Sequence, residues 1–217
     1  MLNKNAFTLA EILITIVIIG IIAAATIPVM INKTNQIETM TALNKSYSLI
    51  QKALYAAQAK HGGISVWEIP ETGNAARAEA LANYILPHIH VMKVCGTGSG
   101  CFPNTTYKYL NGSEWSNIDQ RTDLYKFVMN DGISVAIKMY DDASPNSQGF
   151  FVDVNGFKLP NTRGKDEFVF VLDTKTNMIQ PYGKLLDDSE IKTNCSKTGD
   201  GSYCSTYVLR YNKLDYL

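Results

Sequence analysis

The residues able to do chemistry in this chain are few: four cysteines, three histidines, some carboxylates beside glycine and asparagine, and one glutamate at the edge of an apolar run. The cysteines fall as two local pairs, Cys95 with Cys101 and Cys195 with Cys204, each enclosing a short loop rich in Gly, Ser and Thr. That pattern predicts two disulfide clips, which persist outside the cytosol. Zinc is the competing reading. Neither pair has the short gap usual in zinc sites, and a structural site needs four ligands, for which His88 and His90 would have to be recruited.

Asp153, Asn155 and Asp166 are oxygen donors of the kind calcium takes. Their spacing is not that of an EF-hand, because the position needing a bidentate Glu is Gly164. The same residue types also make turns without any ion. For catalysis the chain offers no nucleophile elbow, and His61, His88 and His90 have no base, acid or metal partner at a diagnostic spacing. These residues predict no enzyme.

Glu11 is the residue that needs an explanation. From Ile12 to Ile31 every residue is apolar or small except Thr15 and Thr26. As a helix this run spans about 30 Å, the thickness of a bilayer's hydrocarbon core. A charge inside a bilayer costs roughly 3 kcal/mol at the helix centre and less near the end, so an intramembrane acid requires a partner. Lys4 and an amino terminus are the candidates within the chain. A cleaved secretory signal is the alternative, with AAAT at 23–26 as its cleavage site, but the apolar run is long for one and continues into a helical pattern through Lys60.

The stretch KNAFTLAEILITIVIIGIIAAATIP resembles the N-terminal signature of type IV pilins and type II secretion pseudopilins. Basic leader, small residue, Phe, Thr, Leu, a Glu five residues into the mature chain and a long aliphatic run all coincide over about 25 residues. The resemblance implies a leader, residues 1–6, removed on the cytoplasmic side by a prepilin peptidase between Ala6 and Phe7. Phe7 would become the N-methylated first residue, and Glu11 would set subunit register by pairing with the Phe7 amine of a neighbour. Pro28 would be the helix-interrupting proline of many such proteins. One departure is that the family's leader usually ends in Gly, where this chain has Ala6. Some pseudopilins hold calcium in a loop between head strands, which makes Asp153, Asn155 and Asp166 the positions to test.

Beyond the apolar run the solvent changes. Ile37, Met40, Leu43, Tyr47, Ile50, Leu54 and Ala57 recur at steps of three and four and trace one helical face, with Lys45, Gln51, Lys52 and Gln58 between them. HGG at 61–63 supplies a stop. With the resemblance, residues 7–31 read as a membrane and assembly helix, 32–62 as its amphipathic continuation, and 63–217 as a head that the resemblance places outside the cytoplasm. Pro28 lacks an N–H and clashes one turn back, which predicts a bent or loosened helix near Ala24.

Within the head, NAARAEALANYIL predicts a short helix capped by Asn74. Period two begins at Leu124: LYKFVM, the turn NDG and ISVAIKMY form a hairpin, with Ile133, Val135, Ile137 and Met139 on one face. FFVDV and EFVFVLD read as further strands, giving an antiparallel sheet of about four strands. A long helix lying on such a sheet is an α+β arrangement, and it matches a pilin-like head. The last stretch, CSTYVLRYNKLDYL, has no clear period and is expected to close back on the sheet.

Lys plus Arg equals Asp plus Glu at 20 each, without a basic block, which argues against nucleic acid as a partner. The expected function is a subunit of a type II secretion pseudopilus or type IV pilus-like filament. Its expected partners are prepilin peptidase, other pilin or pseudopilin subunits and an inner-membrane assembly platform. Two alternatives stand beside it: a filament-tip module for adhesion or DNA uptake, and an anchored exported protein that joins no filament.

Overall fold

The computed structural model describes residues 8–140 and 148–217 of the chain. Contacts divide the chain into two compact units, residues 1–38 and 39–217. One helix, α1, Leu9–His61, contributes to both.

In the first unit, α1 exposes Ile12, Leu13, Ile14, Ile16, Ile18 and their aliphatic neighbours on all sides. The two polar side chains between Ile12 and Ile31 are turned back on the helix itself. Thr15 Oγ1 donates to the Glu11 carbonyl at 2.6 Å, and Thr26 Oγ1 donates to the Ile22 carbonyl at 2.9 Å. A hydroxyl satisfied one turn back can enter lipid without an orphaned polar group. Helical geometry continues through Pro28, so the expected interruption near Ala24 does not break α1.

The second unit is α+β. Five antiparallel pairings join six strands in sequence order: β1 (Val91–Gly96), β2 (Tyr125–Met129), β3 (Ser134–Met139), β4 (Gln148–Asp153), β5 (Glu167–Asp173) and β6 (Met178–Pro181). The predicted hairpin is β2–β3, closed by Met129 N–H donating to the Ile133 carbonyl, with Gly132 at φ +85° in the turn. Two strands more than expected are present. β1 was hidden because its register slips twice against β2, which breaks the alternation. β6 was hidden because it is four residues long and ends in Pro181.

One face of the sheet presents Phe127, Val135, Ile137, Phe150, Val152, Phe168 and Phe170 to Leu43, Ile50, Leu54 and Ala57 of α1 and to Ala78, Leu81 and Ile85 of α2, Asn74–Ile85. The predicted stripe on α1 is thus the buried one, apart from Ile37, which is exposed. Asn74 is the first helical residue of α2 and Gly73, with φ +91°, holds the cap position in its place. The other face carries Val128, Ala136, Phe151 and Val169 beneath Phe102, Tyr107, Ile118 and Leu124. Both faces are therefore covered, the second by the long connection between β1 and β2.

That connection is tied down by buried polar groups. The Asp119 carboxylate accepts the backbone N–H groups of Gly100, Cys101 and Phe102. Lys126, fully buried, donates its ammonium to the carbonyls of Asp119 at 2.7 Å and Arg121 at 2.6 Å. The C-terminal stretch is helical rather than extended. After α3, Asp188–Asn194, comes α4, Cys204–Tyr211, whose Ser205 hydroxyl donates to the β5 carbonyl of Val169 at 2.6 Å.

Neither sheet edge is an open template. β1 is blunted by its two irregularities, and β6 is closed by α1: Gln51 Oε1 accepts the outward N–H of Ile179 at 2.8 Å while Tyr47 donates its hydroxyl to the Ile179 carbonyl at 3.2 Å. Two turns beyond Gln51, Gln58 donates to the Asn177 carbonyl. Two of the residues expected on the polar face of α1 are thus hydrogen-bonded to the sheet edge, and Pro181 presents no N–H there. We predict that Gln51→Ala, by leaving the Ile179 N–H without its acceptor, destabilises the head by about 1–3 kcal/mol. Urea unfolding of the full chain in detergent micelles, followed by the fluorescence of Trp67 and Trp115, measures this.

Candidate functional site

The first turn of α1 holds the charged residue on which the sequence reading turns. Thr8 precedes the helix, and Glu11 is its third residue. The Thr8 backbone N–H donates to Glu11 Oε2 at 2.7 Å, the Thr8 hydroxyl donates to the same oxygen at 2.8 Å, and the Glu11 N–H donates to Thr8 Oγ1 at 3.3 Å. This is a reciprocal capping box, in which Thr and a Glu three residues on satisfy each other's orphan N–H groups. Thr8-Leu9-Ala10-Glu11 carries that signature in plain sight, so the partner of Glu11 inside its own chain was legible though unread. Ala6 and Phe7, the expected processing and methylation positions, lie outside the described residues.

Among the described residues α1 is the one helix long and apolar enough to cross a membrane. Its amphipathic part is held in the head by packing, by the edge contacts at β6, and by a Lys45–Asp131 ion pair at 2.8 Å that ties it to the β2–β3 turn. Lys45 is half exposed, so screening leaves this pair a minor contribution.

Both cysteine pairs are disulfides, Cys95–Cys101 and Cys195–Cys204. The first pins the start of the connection that covers the second sheet face. The second joins α3 to α4. Gly164, at φ +81°, packs against it, for a Cβ there would lie 2.8 Å from Cys204 Sγ, and the Gly164 carbonyl accepts the Tyr216 hydroxyl at 2.7 Å.

The calcium candidates do come together, but around the protein's own donors. Asp166 Oδ1 accepts the Thr162 N–H at 2.6 Å; its Oδ2 accepts the Asn161 N–H at 2.7 Å and the Asn155 side-chain amide at 3.2 Å. Asp153 Oδ1 accepts the Asn155 N–H at 3.1 Å, and its Oδ2 accepts the Tyr107 hydroxyl. Asn155 thus offers Asp166 its amide donor, while its own Oδ1 and that of Asn161 are buried without a hydrogen-bond partner. Among the described residues no group of three or more His, Cys, Asp or Glu could hold a metal ion. These bonds brace the loop between β4 and β5. Next to them Arg163 pairs with buried Glu167 at 2.8 Å and lies on the face of Trp115, 3.6 Å from the ring centre.

The histidines do not converge. His61 ends α1 and meets Tyr84 edge-on, His88 lies in a short 3-10 turn, and the His90 carbonyl accepts the Asn130 N–H.

With this geometry in view, the family model for the prokaryotic N-terminal methylation motif matches residues 1–27. No curated protein and no solved structure matches the chain significantly. The matched segment is a type IV pilin or pseudopilin-type signature, and the fold beyond it, a long helix with an antiparallel sheet, is consistent with a pilin-like fold. Motif and fold together indicate a pilin-like structural subunit rather than an enzyme, and the one long apolar helix among the described residues supports a membrane anchor.

Burial raises the carboxyl groups of the β4–β5 loop. Asp166 is pushed up to about 6 by desolvation, opposed by its three N–H donors, and Asp153 is raised well above its ordinary range by desolvation and by Asp166 beside it. A carboxyl that binds its proton more tightly folded than unfolded adds stability at low pH, and that stability is lost as pH rises from about 4 through about 6. We predict that the head is harder to unfold at pH 5 than at pH 7, by on the order of 1–3 kcal/mol. Asp166→Asn flattens its share of that slope. Urea midpoints across pH in micelles check both statements.

Proposed function

We propose that this chain is a subunit of a type II secretion pseudopilus or type IV pilus-like filament. It is made as a membrane-inserted precursor with residues 1–6 as leader, cut between Ala6 and Phe7 by a prepilin peptidase, and methylated at Phe7. Residues 7–31 then serve as membrane anchor and later as filament core, 32–62 as the spine of the head, and 63–217 as an extracytoplasmic head. Assembly with other pilin or pseudopilin subunits, on an inner-membrane platform, follows from the same signature.

The observation that carries this reading is the coincidence of the methylation motif at residues 1–27 with a fully apolar helical surface bearing a single carboxylate at its start. An apolar helix can leave lipid only for another apolar environment, and a bundle of identical helices provides one. In such a bundle the dielectric is low, so an ammonium at Phe7 of one subunit and the Glu11 carboxylate of the next attract strongly only in the register that brings them together. Glu11 sets the stagger in that way. Pro28 removes one helical hydrogen bond at the base of the spine, which lets α1 adjust its pitch as subunits pack.

Two disulfides in a head with both sheet faces covered fit a location beyond the cytoplasmic membrane, where thiols are oxidised. The intact mass and N-terminal sequence of the protein from its native membranes test the processing: the expected chain begins at methylated Phe7, and one that retains Met1 overturns it. We further predict that Glu11→Ala leaves the disulfides and the fold of the head intact but lowers recovery in sheared filaments at least tenfold, the loss expected when about 1.4 kcal/mol or more of pairing disappears. Immunoblots of filament and membrane fractions report the ratio.

A further inference from the structure

We propose that the β4–β5 loop is a membrane-docking element, whose tip, Phe157-Lys158-Leu159-Pro160, seats in the interface of the bilayer that holds the apolar part of α1, with anionic lipid beside Lys158. The proposal rests on the membrane-anchor reading of residues 12–31 and is independent of any filament. All four tip residues are exposed, Phe157 at 57% and Leu159 at 80%. The backbone that carries them is braced. The Asn155 side-chain amide donates to the Leu159 carbonyl at 3.3 Å, and Asp166 gathers the N–H groups of Asn161 and Thr162. Two large apolar side chains are thus held out in water by a fixed loop, which is the mark of a surface that something apolar covers. Because the loop is already ordered, little conformational entropy is lost when it docks.

The loop lies at the end of the sheet where α1 enters the head. Asp153 closes β4 opposite Ser134 and Glu167, and a Cβ on Gly156 would lie 2.3 Å from the Gly132 carbonyl oxygen, so the loop adjoins the β2–β3 turn. Lys45 reaches Asp131 in that turn, whereas the opposite end of the sheet, at Asn177, is met by Gln58. The tip therefore belongs to the end of the head that is nearer in sequence to the apolar run. The head unit begins at Thr39, and the chain from Ile31 to Thr39 reaches at most about 29 Å even fully extended. So short a tether keeps the head at high effective concentration beside the bilayer, and a weak patch suffices.

Charge selects the occupant. Asp153, Asp166 and Glu167 are buried and engaged by Tyr107, by Asn161 and Thr162, and by Arg163. What residues 153–167 expose is positive: Lys158 in full and Lys165 in part. A lysine between Phe and Leu suits the headgroup boundary, where the apolar side chains enter and the ammonium stays among anionic groups. Docking at this second point restricts the head to one orientation over its membrane.

The test uses the full-length chain in vesicles of phosphatidylcholine and phosphatidylglycerol in equal parts, diluted until chains are isolated, with flotation to establish the anchor. Phe157→Trp adds a fluorophore at the tip. Val66→Trp adds one at a residue 69% exposed in the short turn beyond the far end of α1. With brominated acyl chains in the bilayer, the fluorescence added by Phe157→Trp is expected to be lost, and that added by Val66→Trp to remain. Adding Lys158→Gln should lower the docked-to-free ratio about fivefold, and by less when phosphatidylcholine replaces the phosphatidylglycerol. Floating chains in which both tryptophans are quenched alike overturn docking and leave the anchor standing. A tip that is unquenched in isolated chains and shifts to the blue only when chains are crowded assigns this surface to a second copy and overturns lipid as the occupant. Quenching indifferent to Lys158→Gln overturns the role of anionic lipid. Chains that fail to float overturn the anchor and the docking together.

Discussion

An apolar helix surface has to be covered, and water cannot cover it. Residues 12–31 of α1 present aliphatic side chains in every direction, with the two threonines bonded back to their own helix. Such a surface is at rest in lipid or against other helices like itself, and in no third environment. The remaining features of the protein answer to that restriction. On the filament reading proposed above, the chain exchanges lipid for protein, and it then needs a handle that sets the register of the exchange and a head that stays folded whichever environment its stem occupies.

The head meets the second need by sharing the helix with the stem. From Leu43 to Ala57, α1 supplies core to one sheet face, and through Tyr47, Gln51 and Gln58 it satisfies polar groups at the β6 edge. An uncovered edge would be a hazard, because one strand edge pairs with another. Here β1 is spoiled by two irregularities in register, and β6 is capped by side chains and by Pro181. Pairing of sheet edges between copies is thereby disfavoured. The second sheet face, buried beneath the connection that begins at the Cys95–Cys101 clip, removes the other surface that could compete.

Much of this was readable from the residues. The change of period at Leu124, the β2–β3 turn and the step-three, step-four stripe on α1 lie where pattern and physics agree, because burial on one face imposes a period on side chains. β1 was unreadable since bulges erase the period, and the role of residues 97–123 as a lid depends on contacts distant in sequence, including three N–H groups gathered by Asp119. Gln51 looked like a solvent-facing residue because a glutamine that satisfies a strand edge has the same sequence appearance as one in water. Two capping boxes, Thr8 with Glu11 and Asp187 with Glu190, were local signals that a closer reading of helix starts would have found.

The carboxylates show where chemistry does and does not reside. Asp119, Asp166, Asp173 and Asp187 are each engaged by backbone N–H groups of neighbouring turns or caps, so they act as structural acceptors. A carboxylate used in that way supports a loop. Glu11 belongs to the same class by its bonds to Thr8, yet it differs in location, since it stands at the start of the segment that water does not solvate. Elsewhere a spare carboxylate oxygen is satisfied by solvent at no structural consequence. At the edge of an apolar helix the same spare oxygen has few partners available, and on the filament reading proposed above a cation carried by an adjacent identical helix is the one that assembly brings near. An acceptor that would be ordinary in the head becomes selective in the stem, because the medium around it excludes the alternatives.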